Sequence, residues 1–404
     1  MRQDIDISNL AYPVGRIPWR RFRAVLMTVH LWAGLILAIP FILLGISGSI
    51  LVLQPEAPRW SIPAATATGE IKSAEAILAA AEAVVPAGMR ADRVLMPQRS
   101  REPASIRFQP IDRRERNADL TGPNTIYVDP VSLEVLGTGV QGRPAAIFGI
   151  MRTLHATLYV RTISDRSFVG WLGIAMTLLS LSGLVLWWPR EGQWKRAFLI
   201  KRGARGFRLN HDLHAAFGIW TLLLFLVISI SGVYLAFPRS FRAAVGLVLS
   251  IGYNFEDPSA EAANQLPLPQ PLSLDQAIAT AQAAVPGIVP LNFQLPNRPD
   301  SPYVLNFRPT ALGQGAPPIL VSVDRMNGQI VYVDDFRTYN VGEQVVVWQR
   351  LLHSGLGLGI AYKILVFLSG FLPLLFGITG FRMWWLKRSQ RRVTAPEMAG
   401  SPAE

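Results

Sequence analysis

The sequence contains no cysteine and few histidines, and these shortages limit the chemistry it can perform. Among its 404 residues there are no cysteines and five histidines. The absence of cysteine excludes disulfides, thiolate metal sites and covalent haem attachment through Cys-x-x-Cys-His. Acidic residues are also outnumbered, at 27 against 39 lysines and arginines, so the formal net charge is +12.

Long apolar runs are abundant in this chain. Half of the residues are hydrophobic, and four uninterrupted apolar runs lie at about 25–53, 168–188, 213–237 and 360–386. Each run can cross a hydrocarbon core of roughly 30 Å as a helix. The first run follows a polar tail without a small-residue cleavage site, so we expect an uncleaved anchor. The composition predicts an integral membrane protein.

The first and third apolar runs share one design. His30 lies near the start of the first run, and Ser47 follows it by 17 positions. His214 lies near the start of the third run, and Ser231 also follows by 17 positions. Such self-similarity indicates that the chain consists of two related halves.

The second and fourth apolar runs form another matched pair. The segments SLSGLVLWW (180–188) and GITGFRMWW (377–385) each follow a histidine, His155 and His353 respectively. Small residues allow helices to approach closely in membranes. We therefore expect helix packing to be the role of the four hydroxyl-glycine steps, Ser47-Gly48, Ser182-Gly183, Ser231-Gly232 and Thr379-Gly380. The alternative is that these small residues leave room for a flat macrocycle.

The basic residues cluster beside the apolar runs. They concentrate in the N-terminal tail 1–24, in the short segment 189–210 and in the C-terminal tail 387–404, whereas the long loops 54–167 and 238–359 are nearly balanced. The positive-inside rule then predicts that both tails and the short segment are cytoplasmic and both long loops are periplasmic. The net charge is thus explained by topology, and we expect no nucleic-acid binding.

Each long loop reads as a helix followed by strands. A helical pattern covers 72–88 in the first loop and 272–287 in the second, where Ser273 is the expected N-cap. Strand-like runs follow both helices, with a hairpin turn at Asn327-Gly328 in the second loop. We expect each loop to form a small α+β module of about 70 residues.

These modules resemble a known family. The strands IYVDPVSLEVLG (126–137) and VSVDRMNGQIVYV (321–333), preceded by helices ending in VVPAG or AVPG, are similar to the PepSY domain. Two such modules among four membrane helices, with the segment DLHAAFGIW (212–220), resemble the PepSY-associated transmembrane family. The resemblance covers nearly the whole chain. It implies a bacterial inner-membrane reductase of iron-siderophores that carries b-type haem.

The predicted fold class is a membrane α-helical protein with four transmembrane helices in two pseudo-symmetric halves and two periplasmic α+β PepSY-like modules. The predicted segments are a cytoplasmic tail 1–24, helix 25–53, the first module 54–167, helix 168–188, a basic cytoplasmic loop 189–210, helix 211–237, the second module 238–359, helix 360–386 and a cytoplasmic tail 387–404.

All five histidines lie in or beside the membrane segments. The predicted topology places His30 and His214 near the cytoplasmic face and His155 and His353 near the periplasmic face. Two facing imidazoles between helices are what axial ligation of a b-type haem requires. Zinc is disfavoured because neither depth offers a clear third ligand apart from His211. His211 could also replace His214 as ligand, bind a propionate or lie at the surface beside Asp212, but the repeat spacing favours His214 as the ligand.

Two arginines stand three residues before the periplasmic histidines. Arg152 precedes His155, and Arg350 precedes His353. Residues i and i+3 share one helix face, so each guanidinium could pair with a haem propionate. The alternative is an interfacial arginine whose side chain extends to lipid phosphate.

The sequence predicts an inner-membrane cytochrome with two b-type haems, one held by His30 with His214 and one by His155 with His353. By the resemblance, it reduces a periplasmic Fe(III)-siderophore, a reaction that needs no catalytic acid or base from the chain. The electron donor is open between a quinol and a partner flavoprotein. Two alternatives remain: a haem-free membrane protein that binds or restrains a periplasmic protease, and a cytochrome subunit that serves a separate periplasmic enzyme.

Overall fold

The structure is a computed structural model, and it describes most of the chain. The described residues are 19–60, 62–111, 124–139, 143–160, 166–252, 270–298, 301–312 and 315–394. Most of each predicted cytoplasmic tail lies outside the described residues, as does a charged turn near 112–122 in the first loop.

Four helical segments of the described chain are long and apolar enough to cross a membrane. They are Trp19–Val52 (α1), Ser167–Trp187 (α4), Gly206–Ala236 (α6) and Gly359–Gln390. The fourth is divided into Gly359–Ser369 (α10) and Leu372–Thr394 (α11). The protein is a multi-pass membrane protein. The other helices are Ala74–Glu82 (α2), Arg143–Thr157 (α3), Trp194–Ala197 (α5), Pro238–Gly246 (α7), Leu274–Ala284 (α8) and Val341–Ser354 (α9).

The chain divides into two compact units. Unit 1 comprises residues 1–39, 176–222 and 374–404, and unit 2 comprises residues 40–175 and 223–373. Each boundary falls inside one of the four candidate spans.

Unit 2 contains one eight-stranded antiparallel sheet. The strands are Met89–Leu95 (β1), Ala104–Pro110 (β2), Thr125–Val128 (β3), Val135–Thr138 (β4), Ile288–Gln294 (β5), Tyr303–Pro309 (β6), Ile319–Val323 (β7) and Ile330–Asp334 (β8). Their order in the sheet is β4-β3-β2-β1-β5-β6-β7-β8, so β1 of the first loop pairs with β5 of the second, with Val94 opposite Phe293. The two loops thus build a single sheet, which was not predicted from the sequence.

Helices α2 and α8 pack against one face of this sheet. Apolar residues alternate along β6, and the inward residues Leu305 and Phe307 are fully buried, as expected for a strand with one covered face. The prediction that Ser273 caps its helix is confirmed, because its hydroxyl accepts a hydrogen bond from Gln276 N in a capping box. Ser73 caps α2 through Ala76 N.

Asp129 and Asp324 lie in equivalent turns of the two loops, and each accepts hydrogen bonds from backbone N–H groups of its turn. Asp129, between β3 and β4, accepts hydrogen bonds from the backbone N–H groups of Thr66, Ala67, Val131 and Ser132. Burial alone would raise the pKa of Asp129, but these four donors hold it below its usual value. Asp324, between β7 and β8, likewise accepts from Met326 N and Asn327 N.

Within unit 2, α1 and α10 pack at backbone contact. The Ser49 hydroxyl donates to Phe367 O at 2.6 Å. A Cβ atom added to Gly370 would lie 2.1 Å from Ser49 Oγ and 2.2 Å from Gly45 O. Only glycine fits there, at the break between α10 and α11.

We predict that Gly370→Ala destabilises the protein by about 1–3 kcal/mol, since the added methyl group forces the two helices apart. The measurement is the thermal midpoint of the detergent-solubilised protein. Gly34→Ala is the matched control, because a Cβ at Gly34 meets nothing within 4 Å. Equal midpoints for the two variants would contradict the packing described for unit 2.

Candidate functional site: two histidine pairs

In unit 1, two histidines from different membrane helices face each other. His30 lies on α1 and His214 on α6, and their ring centres are 6.3 Å apart with planes inclined at 75°. The Phe376 ring of α11 lies 5.1 Å from the His214 ring. The structure therefore brings together the two histidines that the repeat spacing relates. We call them the unit 1 pair.

Each imidazole of the unit 1 pair bonds to a hydroxyl through Nδ1. His30 Nδ1 lies 2.8 Å from Ser182 Oγ, which itself donates to Leu179 O at 2.8 Å. His214 Nδ1 lies 3.0 Å from Thr379 Oγ1. Thr379 donates to Leu375 O at 2.7 Å. Because each hydroxyl hydrogen is used by its own helix, the oxygen is left to accept from the imidazole.

In unit 2, two further histidines face each other. His155 lies on α3 and His353 on α9, and their ring centres are 6.0 Å apart with planes inclined at 49°. Helix α9 is fixed at its start by a capping box between Asn340 and Glu343, and ends at Gly355 in the left-handed conformation. The Gly355 N–H donates to the carbonyls of Leu351 and Leu352 and so closes the last turn, which carries His353. We call His155 and His353 the unit 2 pair.

Each imidazole of the unit 2 pair bonds to a backbone carbonyl through Nδ1. His155 Nδ1 lies 3.0 Å from Leu44 O, and Ser47 Oγ is 3.3 Å away. His353 Nδ1 lies 3.0 Å from Ile228 O and 3.2 Å from Ser231 Oγ. In both cases the carbonyl belongs to the residue three positions before the serine.

These contacts fix the tautomer of all four imidazoles. A carbonyl oxygen can only accept, and the hydroxyls of Ser182 and Thr379 donate elsewhere, so each Nδ1 carries the proton. In the part of the chain that the structure describes, no hydrogen bond reaches Nε2 of His30, His214 or the unit 2 pair. Each pair therefore presents two bare Nε2 lone pairs, which are metal-binding donors.

The unit 2 pair lies outside the four candidate spans and is partly buried. Burial lowers the pKa of His155 below its ordinary value. Burial, followed by the nearby charge of His155, lowers the pKa of His353 to about 4. Both imidazoles are thus neutral near pH 7, which is the form that binds a metal ion.

The four hydroxyl-glycine steps contact the imidazoles. A Cβ atom added to the glycine would lie close to a Cε1 atom in each case: 2.9 Å from His155 for Gly48, 3.1 Å from His353 for Gly232, 3.4 Å from His30 for Gly183 and 4.0 Å from His214 for Gly380. From the sequence, helix packing was favoured for these steps over room for a macrocycle, and their contact with the histidines was not foreseen. The 17-residue spacing could not reveal these contacts, because it relates Ser47 to His30 and Ser231 to His214. In the structure, Ser47-Gly48 contacts His155 and Ser231-Gly232 contacts His353 instead.

His211 does not join the unit 1 pair. Its Nδ1 lies 3.3 Å from Asp212 Oδ1, its side chain is half exposed, and its ring stacks on Phe207. Asp212 is buried and also accepts from Arg208 Nε and from Lys201 N. The structure thus places His214, rather than His211, opposite His30.

Arg152 and Arg350 lie on the same helices as the unit 2 pair. Both side chains are exposed, and neither forms an ion pair or hydrogen bond with any residue that the structure describes. Both guanidinium groups are therefore available to a ligand or to lipid.

A metal site with three or more protein ligands does not occur among the described residues, since no group of three His, Asp or Glu side chains is suitably placed there. The chemistry offered is therefore that of two imidazoles per site.

The sequence model of one family, described as the PepSY-associated TM region, matches residues 27–387. The chain belongs to this family. The match includes all five histidines of this PepSY-associated protein. A comparison with curated proteins found no match.

We predict the Nδ1–H tautomer for four of the five histidines in protein free of any bound metal or cofactor. The measurement is nitrogen NMR of histidine-labelled protein, in which a bare Nε2 and a protonated Nδ1 give separate shifts. His353→Asn should remove one such signal set, whereas His211→Asn, the matched control, should leave all four. Protonated Nε2 in the four paired histidines would contradict the hydrogen bonding described above.

Proposed function

We propose that the protein is a two-haem b-type cytochrome of the bacterial inner membrane that reduces Fe(III)-siderophore on the periplasmic side. The observation that carries this proposal is the arrangement of two facing imidazole pairs, each with Nδ1 engaged and Nε2 bare. His30 with His214 would hold one haem, and His155 with His353 the other.

The spacing of the rings would allow the two imidazoles of each pair to hold one metal ion between them. Two metal–nitrogen bonds of about 2 Å, with about 1.1 Å from each nitrogen to its ring centre, separate the ring centres by about 6.2 Å. The observed separations are 6.3 Å and 6.0 Å. With no cysteine in the chain, attachment through thioether bonds is excluded, which favours b-type haem.

When bound, haem supplies a one-electron redox couple that no amino-acid side chain of this protein provides. The chain's own residues hold and orient the ligands. The Nδ1 acceptors hold each imidazole in place and leave its Nε2 available to a metal ion. The exposed guanidinium groups of Arg152 and Arg350 are candidate partners for propionates of the group held by the unit 2 pair.

The distribution of charge supports the proposed orientation of the chain in the membrane. The segment 189–210 carries seven arginines and lysines against one acidic residue, Glu191. It connects α4, which carries Ser182, to α6, which carries His214. The positive-inside rule then gives cytoplasmic termini and places the unit 1 pair near the cytoplasmic face. The loops that form the eight-stranded sheet, and with them the unit 2 pair, would be periplasmic. Electrons would then cross from a quinol or a flavoprotein to the periplasm.

The iron-chelate substrate is proposed from the resemblance to PepSY-associated reductases. Hard oxygen ligands of a siderophore hold Fe(III) far better than Fe(II), so a one-electron reduction releases the metal. No side chain need act as acid or base in that step. We further propose that the two halves are related by a pseudo-two-fold axis, and that the α2 and α8 modules are PepSY modules that enclose the periplasmic haem edge.

Three histidine variants test which residues bind haem. We predict that His353→Ala loses one of two haems, because the unit 2 pair is broken, and that His214→Ala loses the other. His211→Ala is the matched control and should keep both, since His211 bonds to Asp212. The measurement is the haem content per chain and the reduced optical spectrum of each purified variant. Haem loss in His211→Ala and retention in His214→Ala would contradict the proposed ligands.

The substrate is tested by reoxidation of the reduced protein. We predict that a ferric hydroxamate or catecholate siderophore reoxidises the wild-type protein anaerobically, and that an Fe(II) chelator then traps the product. His353→Ala should be reoxidised much more slowly, because the periplasmic haem is missing. Absence of reoxidation by every ferric chelate, in a protein with both haems, would favour a cytochrome subunit that serves a separate enzyme.

A further inference from the structure

Each predicted haem ligand is held by a hydroxyl-glycine step on another helix. The hydroxyl lies at hydrogen-bond distance from Nδ1, and the following glycine lies beside Cε1. The four step-to-ligand contacts are Ser47-Gly48 with His155, Ser182-Gly183 with His30, Ser231-Gly232 with His353 and Thr379-Gly380 with His214.

In the unit 2 pair, the imidazoles lie close against the helix backbone. Cβ atoms at Gly48 and Gly232 would fall 2.9 Å and 3.1 Å from the histidine rings, so a larger residue would displace them. This close approach lets Nδ1 reach a carbonyl, Leu44 O or Ile228 O, at 3.0 Å. The serine hydroxyls are further away and supplement that bond.

In the unit 1 pair, the imidazoles stand further from the helix backbone. The corresponding distances at Gly183 and Gly380 are 3.4 Å and 4.0 Å. Nδ1 of each ring reaches only the hydroxyl, of Ser182 or of Thr379. Among the described residues these two imidazoles have no second Nδ1 acceptor.

This difference has an electronic consequence. An acceptor on Nδ1–H increases the basicity of the imidazole and hence its electron donation to a bound metal. Stronger donation favours the more highly charged Fe(III) state and lowers the reduction potential. Removing the only acceptor of a ligand should therefore raise the potential, whereas removing a hydroxyl that supplements a carbonyl should change it little.

We infer that Ser182 and Thr379 are positioning residues that set the reduction potential of the haem held by His30 and His214, whereas backbone carbonyls set that of the haem held by the unit 2 pair. This inference rests on the proposed function, because it requires haem at both sites. The reduction potential of the unit 1 haem should therefore respond to substitution of these side chains. The reduction potential of the unit 2 haem should respond much less to substitution of Ser47 or Ser231.

The test is a redox titration of the purified two-haem protein, with the two haems assigned from the His214→Ala and His353→Ala variants. We expect Ser182→Ala and Thr379→Val to shift the reduction equilibrium of the unit 1 haem about tenfold toward Fe(II), equivalent to about 59 mV. The other haem should not shift. Ser47→Ala and Ser231→Ala are the matched controls, and both should shift their haem much less.

Conservative variants separate hydrogen bonding from a merely structural role. Ser182→Thr and Thr379→Ser keep the hydroxyl and should keep the wild-type potential. If Ser182→Ala loses the unit 1 haem, retention of that haem in Ser182→Thr still supports the inference. Equal reduction potentials of the unit 1 haem in Ser182→Ala and Ser182→Thr would overturn the inference. Equal shifts of the potential in Ser182→Ala and Ser47→Ala, each at its own haem, would also overturn it. A wild-type protein without haem would instead overturn the proposed function.

Discussion

The Nδ1 hydrogen bond of each paired imidazole is the interaction on which the rest of the site depends. An imidazole N–H removed from water without a partner is costly, so each histidine needs an acceptor, and a neighbouring helix supplies it. At His155 the acceptor is a backbone carbonyl, which is reached because Gly48 leaves room for the ring. At His30 it is the hydroxyl of Ser182. Satisfying Nδ1 in this way leaves the Nε2 lone pair of each imidazole without a hydrogen bond to any residue that the structure describes.

The sequence predicted the helical spans and the pairing of the histidines because both depend on simple periodic signals. Uninterrupted apolar runs identify spanning helices, and the equal spacing after His30 and His214 identifies equivalent positions. The choice of His214 over His211 followed from the same spacing. In the structure, Asp212 explains why His211 is held elsewhere, a contact between side chains one position apart that hydropathy does not reveal.

Other features could not be predicted because they depend on contacts between segments distant in the chain. Strands β1 and β5 pair although about two hundred residues separate them in the chain. The sequence pattern of neither strand identifies its partner. The role of Ser182-Gly183 was assigned to helix packing, since serine and glycine serve packing in any membrane bundle. The break near Gly370 was likewise hidden, because its apolar run continues without interruption.

The central claim is that each histidine pair binds one haem. The most direct measurement is the pyridine haemochrome content of the wild-type protein, purified in detergent from haem-replete cells and compared with its protein concentration. The account predicts b-type haem at about two per chain, with a sharp reduced spectrum typical of two axial imidazoles. A colourless protein would contradict the account and would favour a haem-free protein that binds a periplasmic partner.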